Sequence, residues 1–231
     1  MKLKWKLTIS INIIFLILLC VIGYFAYSQI ARLADLKIED ELHNSSQLGL
    51  VLLETRYPGT WAEQDGKLAK GSSVLNGDNT VVDIIKNKTG IVSTIFYGDT
   101  RIATSITDEQ GNRITGTKAN PEVIETVLVK AEEFKGTTTI NGKLYKTLYT
   151  PLRDESGKII GMWFVGTEYE NLKQIQDASL ARILLACGII LVIGICYAMA
   201  VGNITGNSLN KLMNNIGVIS SGNFSVPVSD A

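Results

Sequence analysis

The sequence predicts an α+β fold: a five-stranded antiparallel sheet, with one helix crossing between its second and third strands, set between two apolar helices. Three observations predict it. Ile91–Glu168 reads in the order strand, strand, helix, strand, strand, strand, with turn residues at each junction. Leu7–Tyr27 and Ile183–Val201 are uncharged and each long enough to cross a bilayer core. Ser28–Arg56 has no proline and is rich in Leu, Glu and Ala, which predicts a long helix leading into the sheet.

The elements follow in order. Lys2, Lys4 and Lys6 precede the first apolar run, while Asp35, Glu39, Asp40 and Glu41 follow it. By the positive-inside rule the N-terminus is expected in the cytoplasm. The run exceeds the usual core of a cleaved signal peptide, so it is read as an uncleaved anchor. Tyr57-Pro58-Gly59 ends the long helix. Trp61–Leu68 reads as a short ribbon around Asp65-Gly66, and Asn76–Asn79 as a loop and helix cap. Thr80–Lys88 is a short helix stopped by Gly90.

Ile91–Tyr97 and Arg101–Thr107 are strands joined at Gly98-Asp99, and Asp108–Asn112 is a loop by composition. Asn120-Pro121 opens the crossing helix with a cap residue and a proline at the first helical position. Val123, Val127, Leu128 and Ala131 form its apolar stripe, and it is expected to end at Gly136. Thr137–Ile140 and Lys143–Leu152 flank an Asn141-Gly142 hairpin turn, and Lys158–Glu168 closes the sheet. Asn171–Arg182 is helical and leads into the second apolar run. There Gly194, Ala198 and Gly202 lie four apart; this is either a close-approach face or ordinary transmembrane composition. Leu209, Leu212, Ile216 and Ile219 then recur at the a/d spacing of a parallel coiled bundle.

Composition excludes several function classes. The formal net charge is +0, against a nucleic-acid surface. Residues 28–181 carry four more acidic than basic side chains. The three cysteines, Cys20, Cys187 and Cys196, all sit in apolar runs, so no disulfide framework or Cys-based metal site is legible. The single histidine, His43, lies within the long helix and belongs to no recognisable triad. Glu132-Glu133 lies on the expected crossing helix and is read as a solvated pair. No phosphate loop, zinc motif, cofactor motif or catalytic constellation appears.

The stretches "KNKTGIVSTIFYGDTRIATSITDEQGNRITGTKANPEV" and "YTPLRDESGKIIGMWFVGTEYENL" resemble the extracytoplasmic Cache (PAS-like) sensor domain of bacterial receptors, in its single-Cache form. They look like the single-Cache module of methyl-accepting chemotaxis proteins, and that resemblance makes chemotaxis signalling the expected output. "ISSGNFSVPVSD", after the Leu/Ile seam, resembles the HAMP linker that joins a second membrane span to a signalling module, with Ser208 where that pattern has proline. The resemblance implies a cytoplasmic tail (1–6), a first span (7–27), a sensor domain (28–182), a second span (183–202) and a partial HAMP domain (203–231). It implies a homodimer in the cell membrane, with both termini cytoplasmic, that binds a small molecule outside. Cytoplasmic signalling partners are expected only for a longer chain. A histidine kinase or cyclic-dinucleotide enzyme would use the same input. A membrane-tethered extracytoplasmic enzyme would have no use for the linker-like residues.

The residues able to hold a small ligand are Arg101, Thr104 and Ser105, Thr117 and Lys118, and Tyr145, Thr147 and Tyr149. Arginine presents a planar fork to a carboxylate, Lys118 adds charge and the hydroxyls add orientation. Tyr145, Thr147 and Tyr149 share a strand face by the period of two. Arg101 resembles the Arg of the Arg-x-x-His motif in citrate and dicarboxylate sensor kinases. Thr104 replaces that His, which directs the expectation to smaller acids.

Overall fold

The computed structural model describes residues 2–220; the linker-like connector at Gly222–Val228 lies outside them. Two long helices bracket the fold, α1 (Lys2–Arg56) and α4 (Tyr169–Ser220). Each holds a stretch long and apolar enough to cross a membrane, within Asn12–Arg56 and Leu180–Ser208. The chain divides into the compact unit Arg32–Ile175 and a second unit formed by the helical arms before and after it. In the arms, a Cβ added to Gly194 would come within 2.5 Å of the Phe15 ring, so this glycine packs against the chain's own first helix. Of the a/d seam, Ile216 is exposed. The side chains of Leu209, Leu212 and Ile219 lie outside the described set.

In the compact unit, α1 is followed by a small meander, β1 (Trp61–Gln64), β2 (Lys67–Lys70) and β3 (Ser73–Val74). Helix α2 (Thr80–Thr89) ends on Gly90, which adopts the left-handed conformation that favours glycine. Asn79 precedes α2, but its side chain does not cap it. Asp78 accepts the Thr80 N–H (3.0 Å) instead, while Asn79 accepts from the Thr104 N–H (2.9 Å), tying α2 to the sheet.

The main sheet contains β4 (Val92–Tyr97), β5 (Thr100–Thr104), β6 (Phe134–Ile140), β7 (Lys143–Arg153) and β8 (Ile159–Glu168). Its order is β5-β4-β8-β7-β6, antiparallel throughout. The last strand in sequence is therefore the central one. That position explains why Ile160–Gly166 reads as an apolar run rather than an alternation: β8 is covered on both faces. Leu42, Leu53, Ile85, Ile95, Leu148, Trp163 and Val165 pack on one face. Phe96, Val123, Val127, Phe134, Tyr149, Met162 and Phe164 pack on the other.

The crossing helix is shorter than expected. Helix α3 (Pro121–Ile124) passes directly into a π-helical turn, Glu125–Val129. Lys130 N–H reaches back to Glu125 and Glu132 N–H to Thr126, and Ala131 takes a positive φ of 65°. This stops the helix and releases Phe134 onto the sheet. Gly136 lies inside β6, where a Cβ would come within 2.9 Å of the Phe134 ring.

One contact fixes α1 to the sheet. Gly49 lies over the Trp163 indole of β8, leaving no room for a Cβ. In a free helix Gly→Ala would stabilise by about 1 kcal/mol. Here the overlap dominates, and Gly49→Ala is expected to destabilise the protein by about 1–3 kcal/mol, as overpacking does. Thermal unfolding followed by circular dichroism checks this, and a higher midpoint in the variant would show that α1 can shift off the indole.

Candidate functional site

The sheet face beneath α3 and the π turn carries the candidate site. Arg101 projects from β5 onto this face, its guanidinium carbon 5.0 Å from the Phe96 ring centre. Tyr149 closes the other side and packs against Phe96, Phe134 and Phe164, with ring centres 6.0, 6.0 and 4.7 Å away. These rings surround the guanidinium with apolar surface, and Arg101 is only 3% exposed.

Its polar partners are few. Nη1 donates to the Thr117 hydroxyl, and more distantly to the Ile114 carbonyl (3.5 Å). Nε is buried with no hydrogen-bond partner. Among the described residues no carboxylate pairs with this side chain; its titratable neighbours are the phenols of Tyr149 and Tyr145. Burial pushes the guanidinium pKa below its ordinary value, with the tyrosines opposing. Arginine nevertheless stays charged. A desolvated charge with so little compensation is costly, and a carboxylate is the group that would relieve it.

A strap over β5 holds these partners. Arg101 N–H donates to the Thr117 carbonyl, Gly116 N–H donates to the Arg101 carbonyl and Ile114 N–H to the Ile106 carbonyl, so residues 113–118 cover the free edge of β5. Arg113 latches the strap. Its fork meets both Asp83 oxygens on α2 at 2.8 and 2.9 Å, and Nη1 also donates to the Thr104 carbonyl at 2.6 Å. A cavity of about 120 Å³ lies between strap and sheet, lined by Arg101, Thr117, Ala119, Asn120, Ile140 and Tyr149, among others.

The residues expected at a site are distributed unevenly. Arg101, Thr117 and Tyr149 line this cavity together. Lys118 reaches it too, but its side chain is 71% exposed and its ammonium bonds Asp99 at 2.8 Å. That bond holds the Asp99 carboxyl below the usual range. Thr104 is fully buried and shares a 2.6 Å hydrogen bond with Thr94. Ser105 is tied to the β4 backbone, accepting from the Ser93 N–H at 2.9 Å. Thr147 donates to the Gly136 carbonyl at 3.2 Å. Tyr145 borders a second, larger cavity, and burial first, then Glu168, raises its pKa. Burial likewise raises Tyr149. Sequence reasoning missed Phe96, Thr94 and Arg113. Adjacent hydroxyls at Ser93-Thr94 of β4 could have suggested Thr94; nothing in the spacing pairs Arg113 with Asp83.

Residues 73–179 match the family model described as single cache domain 3. The crystal structure of the E. coli DcuS sensor domain aligns at 18% identity over 43% of this chain and 71% of that one, with a TM-score of 0.33. No curated protein matches. The architecture is that of a Cache-type sensor domain, flanked by two helices apolar enough to span a membrane.

The uncompensated guanidinium has a measurable consequence for stability. Arg101→Met keeps packing volume against Phe96 and removes the buried charge. It is expected to stabilise the ligand-free protein by about 1–4 kcal/mol, as apolar replacement of buried charges does. Chemical denaturation of parent and variant checks it; a less stable variant would mean that the contacts to Thr117 and Phe96 outweigh the desolvation.

Proposed function

We propose that this chain is the input portion of a transmembrane chemoreceptor, acting as a homodimer, whose extracytoplasmic Cache domain binds a small organic acid through Arg101. The observation that carries the reading is the buried guanidinium, whose Nε has no partner and which no carboxylate among the described residues neutralises. Thr117 on the strap occupies one of its donors, and a carboxylate arriving there would take bidentate hydrogen bonds in its place. The small cavity and the single Arg favour a monocarboxylate over a dicarboxylate. Tyr149 supplies a wall, with Tyr145 at the neighbouring cavity; Thr104 and Thr147 bond to adjacent strands beside it.

Transmission follows from the order of strands. β8 is central and its last residue, Glu168, precedes the first residue of α4. A ligand changes the output only by binding two states unequally. Moving the strap and β5 displaces β4 and then β8, and α4 carries the displacement into its membrane segment and on toward the Leu209, Leu212, Ile216 and Ile219 seam, to a chemotaxis signalling module. In this reading both termini are cytoplasmic.

Two experiments test it. Single cysteines at Gly142 (Gly142→Cys) and Asn214 (Asn214→Cys), in a background without Cys20, Cys187 and Cys196, are expected to differ toward an impermeant thiol reagent on intact cells: the first labels, the second does not. The reverse pattern overturns the topology. Calorimetric titration of the purified chain with two- to six-carbon monocarboxylates is expected to find a ligand whose affinity drops more than about tenfold in Arg101→Ala, as when one partner of a buried charge pair is truncated. Equal affinity in a folded variant removes Arg101 from the site.

A further inference from the structure

The Tyr145 hydroxyl stands without a partner. Tyr145 lies within β7, is 5% exposed, and its ring belongs to the apolar core beneath α3. A phenol so buried ordinarily finds a hydrogen-bond partner. Here no described residue bonds it, and it is not sealed into the core as the Thr138 hydroxyl is. Tyr145 lines the second cavity, of about 500 Å³, beside the end of β8. That volume is in the range of small-molecule sites.

The charges around this hydroxyl can be followed singly. Glu168 stands opposite Tyr145 in the strand register. Lys143, two residues before Tyr145 on the same strand face, holds one oxygen of Glu168 at 2.8 Å. The other oxygen has no partner among the described residues. Glu109, exposed on the loop after β5, also acts on Lys143, and no described residue bonds its carboxylate. The cluster therefore has two carboxylates against one ammonium. Two further charged residues line the cavity, and both are engaged. Lys86 donates to the Ser105 carbonyl at 2.9 Å, and Asp108 accepts from the N–H groups of Gln110 and Asn112. Counting them leaves the same excess of one negative charge.

We propose that this cavity is a second binding site, separate from the one at Arg101, and that its ligand is a small primary amine bound as the ammonium ion. An ammonium group has three N–H donors and no acceptor. The free oxygen of Glu168, the Tyr145 hydroxyl and Glu109 are the acceptors it meets, and its charge cancels the excess with Lys143 left in place. Among the described residues no three acidic, histidine or cysteine side chains converge as metal ligands, so the cation that fits is organic. Val92 and Ile106, also in the lining, give its alkyl part an apolar surface. Glu168 immediately precedes α4, so the ligand touches the residue at which the central strand passes into the helix.

The test titrates the whole purified chain in nanodiscs, by calorimetry, with straight-chain primary amines of two to five carbons and the alcohols of the same lengths. An amine is expected to bind at least about tenfold more tightly than its alcohol. Glu168→Gln is expected to weaken amine binding more than about tenfold, as loss of a charged acceptor does. Tyr145→Phe removes a hydroxyl that bonds no described residue and so keeps the fold; it is expected to weaken the amine by about threefold to tenfold. Circular dichroism verifies that both variants fold. Arg101→Ala is expected to keep the preference for amine over alcohol; losing it would merge the two sites and overturn this one. Amines that bind no better than alcohols, or do not bind, overturn the site. Amine affinity unchanged in either folded variant, Glu168→Gln or Tyr145→Phe, overturns it as well.

Discussion

The fold depends on inserting its last strand into its middle. β8 must find β4 on one side and β7 on the other, although the segment that separates β4 from β7 includes the strap, α3 and β6. Once seated, β8 is apolar on both faces, so both layers of the domain assemble against it. Loss of either layer would expose the same strand. The layers differ in kind. On one face α1 is set by a glycine on an indole, a contact with no room for adjustment. On the other, the covering is a four-residue helix, a π turn and a strap held by an ion pair at Asp83, all easier to move.

The site lies on the adjustable side. Burying Arg101 among aromatic rings is unfavourable by itself, and the sheet, whose stability comes from the apolar packing around β8, offsets it. In the proposed reading one side chain links stability to sensing: a ligand that neutralised the guanidinium would also relieve its desolvation, and would alter the output only by binding two states unequally.

Much of the fold was legible because its signals are local. Asn141-Gly142 marks the hairpin, Gly90 ends α2, and the sheet and crossing helix follow from periodicity. The crossing helix's end was misplaced at Gly136 because glycine is the usual stop, whereas here a π turn and the left-handed Ala131 end it. Alanine carries no local signal for that conformation. Arg101 stood out by residue type, but its surroundings did not. Phe96 comes from the neighbouring strand, and the register sets it opposite Arg101; Thr94 and the Arg113 latch meet Thr104 instead. Lys118 looked like a second cationic contact from its spacing, yet Asp99, in the turn immediately before β5, claims it.

The central claim is that Arg101 is held desolvated for a carboxylate. The most direct measurement is the Nε–Hε NMR signal of Arg101, assigned by its loss in Arg101→Lys, as a carboxylate ligand is titrated into the isotopically labelled protein. The account predicts a large downfield proton shift of this one arginine signal on saturation, as its Nε gains a charged acceptor. An Arg101 signal that stays in place while the rest of the domain reports binding would contradict it.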